Sequence, residues 1–192
     1  MKTLLRSVLT SIIGVTVFSF SAVHSVKAYP LFDHTEVDQS RYIAIAIPFG
    51  SLEENQLSGY KLLILEQQSD VRACWQEEGT QPVLVEPLLL NFDFTGICGR
   101  ATDSNGYSIR VGGQDLSMTH TVSLQSIGSE ILLIGTSRQD GSRMIIGRSY
   151  GLASGFMKIE LQPGWRFTKR TYQGQVLGHI YFTHDGGLMS VY

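Results

Sequence analysis

Cysteine and proline are scarce here, two and five in 192 residues, and basic side chains do not outnumber acidic ones. No H-x-H, H-E-x-x-H or C-x-x-C spacing occurs, so a metal site has no pattern behind it. There is no G-x-S-x-G elbow and no phosphate-binding glycine loop ending in Lys-Ser or Lys-Thr. No cofactor is expected. Beyond residue 28 no run of ten or more residues carries a helical apolar stripe, which argues against a helical or α/β fold.

What is present begins with an export signal. Lys2 and Arg6 precede a mostly apolar stretch from Leu4 to Phe20, and Val26-Lys27-Ala28 places small residues where signal peptidase needs them. Residues 1–28 are expected to be a signal peptide and 29–192 a single domain. An uncleaved anchor is the rival, because Ser7 to Val23 is almost long enough to span a bilayer. Removing 28 residues leaves 164, enough for a full hydrophobic core. Three of the 15 basic residues leave with the signal while all 17 acids stay, so the net charge becomes −5. A nucleic-acid partner is thereby disfavoured, since displacing phosphate counterions needs a basic surface. No membrane span is expected in the exported part. Periplasm, outer surface and extracellular space all fit.

Cys74 and Cys98 both lie beyond the signal, and export to an oxidising compartment makes a disulfide between them the default. A catalytic Cys98 paired with His120, His179 or His184 is the competing reading, and oxidation would abolish it.

Short apolar or alternating runs separated by turn residues recur along the chain. Arg41 to Phe49 places Ile43, Ile45 and Ile47 on one face and alanines on the other. Lys61 to Gln68 and Arg72 to Glu78 flank Ser69-Asp70 and read as a hairpin. Leu88 to Phe94 reads as a strand after a bulge or corner at Pro87, and Ser104-Asn105-Gly106 as a tight turn with positive φ angles. Residues 51–60 read as a polar loop. The remaining runs are Val83 to Val85, Tyr107 to Val111, His120 to Leu124, Glu130 to Gly135, Arg143 to Gly147, Phe156 to Leu161, Trp165 to Tyr172 and Val176 to Thr183. About ten strands of this kind predict an all-β fold, an antiparallel sandwich or small barrel.

Two stretches carry candidate chemistry. Asp103-Ser104-Asn105-Gly106 begins like a calcium loop but lacks the closing glutamate, so turn chemistry is favoured. On the strand Trp165 to Tyr172, Arg166 and Arg170 share a face with Tyr172. They could present guanidinium groups to an acidic envelope polysaccharide or a lipid headgroup. The bland alternative is a strand face whose arginines pair with the chain's own acids. An exported, non-catalytic domain that binds or organises an envelope component is the leading expectation. A secreted hydrolase with a site scattered around Asp93, Asp103, His179 and Tyr181 is the second.

The segments NFDFTGICGR, DSNGYSIR and GWRFTKRTYQG, within a likeness spanning roughly residues 31–184, resemble a family of exported cyanobacterial proteins known as domain of unknown function 3747. The resemblance implies an envelope or periplasmic setting and supplies no activity or catalytic residue.

Overall fold

The computed structural model describes residues 31–51 and 56–187. The expected signal peptide lies outside the described residues, as do residues 52–55 of the expected 51–60 loop; the described remainder of that stretch is strand and not loop. Fourteen strands run through the described residues: β1 (Asp33–Glu36), β2 (Tyr42–Ser51), β3 (Gln56–Gln67), β4 (Trp75–Glu78), β5 (Leu84–Pro87), β6 (Cys98–Ala101), β7 (Tyr107–Val111), β8 (Gln114–Asp115), β9 (His120–Ile127), β10 (Glu130–Ser137), β11 (Arg143–Arg148), β12 (Met157–Leu161), β13 (Trp165–Tyr172) and β14 (Gln175–His184). They form a five-stranded sheet, ordered β1-β13-β14-β7-β8, and a larger one ordered β6-β3-β2-β12-β11-β10-β9 that also carries β4 and β5. The expected all-β architecture holds, and the pairing is antiparallel except between β14 and β7.

The hairpin β2–β3 is buried on both faces, and its alternation explains how. Ala44, Ala46, Leu62 and Ile64 point into the main core, which they share with Ile131, Leu133, Phe167 and Phe182. Ile43, Ile45, Leu63 and Leu65 point the other way, into a second core with Val85, Leu89 and the two cysteines. The excursion from Gln68 to Cys98 covers that second face, and the Cys74–Cys98 disulfide staples it down with sulfurs 2.03 Å apart.

Three local expectations are corrected. Lys61–Gln68 and Arg72–Glu78 do not form a hairpin: β3 pairs with β6 through Gln67↔Cys98, and β4 pairs with β5 instead. The disulfide joins Cys98, the first residue of β6, to Cys74 in the segment after β3, and Gln67 draws that segment inward by donating to the carbonyls of Ser69 and Arg72 and accepting from Cys74 N. Leu88–Asn91 is a single 3-10 turn and not a strand. Phe92 and Phe94 nonetheless pack on the second core, with Arg72 and Arg100 over their rings. In the Asp103–Gly106 turn the glycine is required for space and not for a left-handed backbone, since an added Cβ would sit 2.7 Å from that of Ala101.

Glu66 ties the two sheets together. Its carboxylate accepts from Lys169 Nζ at 2.7 Å and from the Tyr42 hydroxyl at 2.6 Å, joining β3 to β13. Burial pushes the Glu66 carboxyl up, but the bonds from Lys169 and Tyr42 outweigh it and hold it below its usual 4.5. A depressed folded-state carboxyl stabilises above the unfolded value and loses that contribution as pH falls through the folded one. Glu66→Gln is therefore expected to flatten the acid limb of stability below about pH 4.5. Urea midpoints at pH 6 and pH 3 check this: the wild type should lose more between them than the variant.

Candidate functional site

Alternation on β13, β14 and β7 sends Phe167, Ile180, Phe182 and Ile109 into the main core. The opposite face of the same strands is polar. Register places Thr168, Tyr181 and Ser108 side by side, and Arg166, Thr183 and Arg110 next to them. This face is nevertheless buried: Tyr181 and Thr168 are 0 % exposed, Arg110 3 %, Ser108 5 % and His179 8 %. Polar groups at such depth must satisfy one another.

Thr168 pairs with Thr183, and Arg110 donates to the Phe32 carbonyl and Asp33 while its Nε has no partner among the described residues. Tyr181, Ser108 and His179 join Arg170 and Asp115 in one network. Arg170 Nε donates to the Tyr181 hydroxyl at 2.6 Å, and its Nη2 donates to Asp115 Oδ2 at 2.9 Å and Ser108 Oγ at 3.3 Å. The Tyr181 hydroxyl donates to Asp115 Oδ2 at 2.7 Å. Burial pushes the Asp115 carboxyl up, yet bonds from Tyr181 and Ser117 and the charge of Arg170 leave it lowered overall. Burial, then the carboxylate of Asp115, pushes the Tyr181 phenol well up, so it stays protonated.

At the edge of the network Ser108 Oγ lies 2.8 Å from His179 Nε2, and His179 Nδ1 lies 2.8 Å from the carbonyl of Asn105. A carbonyl only accepts, so Nδ1 carries the ring proton and a neutral ring has Nε2 free to accept from the Ser108 hydroxyl. Burial lowers the His179 pKa below its usual 6.5, against a smaller opposing effect of the Asn105 bond, and this favours the neutral ring. A serine bonded to an imidazole, itself oriented by a third group, is the arrangement of an activated nucleophile. The turn that holds the Asn105 carbonyl is built locally: Asp103 O accepts from Gly106 N, and Asp103 Oδ1 accepts from Asn105 N.

The residues singled out from the sequence fall into two groups. Arg166 is spanned by Glu36, at 2.7 Å, and Asp185, at 3.0 Å, both from distant parts of the chain. Arg170 is internal to the network above. Tyr172 is partly exposed and packs on Phe32, whose ring lies beneath the Arg170 guanidinium. His179 and Tyr181 come together on the polar face as alternation requires. Asp93 does not join them; it accepts from Thr95 N inside the disulfide excursion. Ser108, Asp115 and the Asn105 carbonyl carry no signal in the sequence that would have singled them out.

Among the described residues no cluster of His, Cys, Asp and Glu could hold a metal ion, and no helix is long and apolar enough to cross a membrane. Fold and polar face together define an all-β, disulfide-stapled protein with a buried serine–histidine pair on one sheet. Over residues 8–186 the chain matches the family described as Protein of unknown function (DUF3747), and it belongs to that family. No curated protein and no solved structure matches it.

Proposed function

We propose that this exported domain is a serine-type acyl hydrolase in which Ser108 is the nucleophile and His179 the general base. The 2.8 Å bond between Ser108 Oγ and His179 Nε2, with the tautomer set by Asn105, is the observation that carries the reading. In the first half-reaction Nε2 takes the Ser108 proton as Oγ bonds to the carbonyl carbon of an ester. The carbonyl electron pair moves onto oxygen beside the Arg170 guanidinium. Collapse of that oxyanion expels the alcohol, which leaves with the proton from Nε2. Water then repeats the sequence on the acyl-serine, giving its proton to Nε2 and releasing the acid as Ser108 recovers its proton. Arg170 serves as a fixed positive charge where negative charge develops.

A fluorophosphonate probe on the purified, disulfide-bonded protein tests this. Phosphonylation of Ser108, found by peptide mass spectrometry, is the expected result. Ser108→Ala should lose both the adduct and p-nitrophenyl acetate turnover, and His179→Gln should slow turnover about 100-fold or more. The rate should hold below pH 6.5, because burial lowers the His179 pKa and keeps the base form present there. An unlabelled Ser108 in folded wild-type protein would overturn the assignment.

The second reading is envelope binding without catalysis through Arg166, Arg170 and Tyr172. A groove of about 280 Å³ beside Arg166, lined also by Trp165 and Lys158, favours it. Retention on an acidic polysaccharide that salt weakens and Arg166→Ala abolishes would support this reading, even though Arg166 already has two carboxylate partners.

A further inference from the structure

Ser108 is also part of the wall of a hollow of about 370 Å³ between the start of β7 and the start of β9. That volume is at the small end for a ligand pocket. The lining is rich in hydroxyls, among them Ser117 and Thr121, and it holds Asp103, His120 and Arg138. An acyl chain of any length would need an apolar wall, and Tyr107 and Val122 alone supply little of one. The hollow suits the polar, alcohol side of an ester, with the acyl group small.

Arg138 sets the charge of that alcohol. Arg41, Arg110, Arg148, Arg166 and Arg170 each meet at least one carboxylate, whereas among the described residues Arg72, Arg100, Arg138 and Arg143 meet none, and of these four only Arg138 lines the hollow. Arg138 is exposed and has no carboxylate partner among the described residues. A guanidinium free to make a bidentate contact recognises a carboxylate by geometry as well as by charge. Beside it, burial keeps His120 below its usual pKa and hence largely neutral, able to exchange hydrogen bonds with hydroxyls. Asp103 bonds Asn105 N through Oδ1, leaving Oδ2 to accept another hydroxyl.

We infer that the substrate is a short-chain acyl ester of an anionic, hydroxyl-rich carrier, the chemistry of an O-acetylated uronate, with its carboxylate on Arg138. This inference rests on the acyl-transfer reading of Ser108 and His179. It moves recognition of an acidic sugar from Arg166 and Arg170, whose charges are compensated within the fold, to an arginine beside the nucleophile.

Three probes separate the outcomes: p-nitrophenyl acetate, methyl O-acetyl-galacturonide and methyl O-acetyl-galactoside. The wild type should hydrolyse the galacturonide with kcat/KM at least tenfold above the galactoside, and Arg138→Gln should erase that ratio. Turnover of p-nitrophenyl acetate without preference for the galacturonide would overturn the carrier assignment and leave the serine–histidine pair standing. Absence of p-nitrophenyl acetate turnover together with an unlabelled Ser108 would overturn both. A preference that survives in Arg138→Gln would remove Arg138 from recognition.

Discussion

Replacing Arg170 by methionine is expected to lower the unfolding free energy by about 3–5 kcal/mol, the usual cost of removing one partner from a buried ion pair. Methionine keeps much of the side-chain stem but takes away the donors that Tyr181, Asp115 and Ser108 share. The Asp115 side chain, 14 % exposed, would retain only Tyr181 and Ser117 as donors. Its carboxyl would then titrate higher, so the deficit should be largest near neutral pH and shrink in acid, where protonation relieves the unpaired charge. For a domain of this size the melting temperature should fall by roughly 6–20 °C. Urea unfolding at pH 7 and pH 4 checks both points. A loss near zero at pH 7 would mean the network is solvated and the account of it wrong. Hydrolysis should fall as well, because the guanidinium beside Ser108 goes with the substitution.

Removing the disulfide with Cys74→Ala and Cys98→Ala is expected to cost about 3 kcal/mol, from the freedom regained by a loop of this length in the unfolded chain. The more informative result is where the loss appears. The staple holds the cover over Ile43, Ile45, Leu63 and Leu65, whereas the main core is built without it. Local opening should therefore precede global unfolding. The double variant should bind a hydrophobic dye such as ANS at denaturant concentrations where far-ultraviolet circular dichroism is still native. Coincident dye and dichroism transitions would show that the cover does not open separately.

Much of the fold was legible because strand burial obeys a two-residue period. Ile43 and Ile45 against Ala44 and Ala46 divided the faces of β2 correctly, and the same rule put His179 and Tyr181 together. Pairing was less accessible: a turn at Ser69-Asp70 suggests a hairpin, but nothing local in Lys61–Gln68 says that its partner is β6. Charges on Arg166 and Arg170 were visible, while their partners Glu36, Asp185 and Asp115 lie 130, 19 and 55 residues away. The acceptor that fixes His179 is a backbone carbonyl, a group every residue carries, so it has no sequence signature. Ser108 is one serine among many on strands, and only the register of β14 against β7 brings the imidazole to it.

The hairpin β2–β3 has a kinetic meaning as well. Its strands are close in the chain, it supplies a wall to each core, and its register runs unbroken from Tyr42↔Glu66 to Pro48↔Tyr60. Contacts of short sequence separation close at the least entropic cost and form early. Amide exchange should be slowest there, around Ala44, Ile45, Leu63 and Ile64. Ser108 and His179, 71 residues apart, meet only after β7 has added in parallel to β14. A partly folded chain would carry a formed hairpin while Ser108 and His179 were still apart, and the serine would meet its imidazole last.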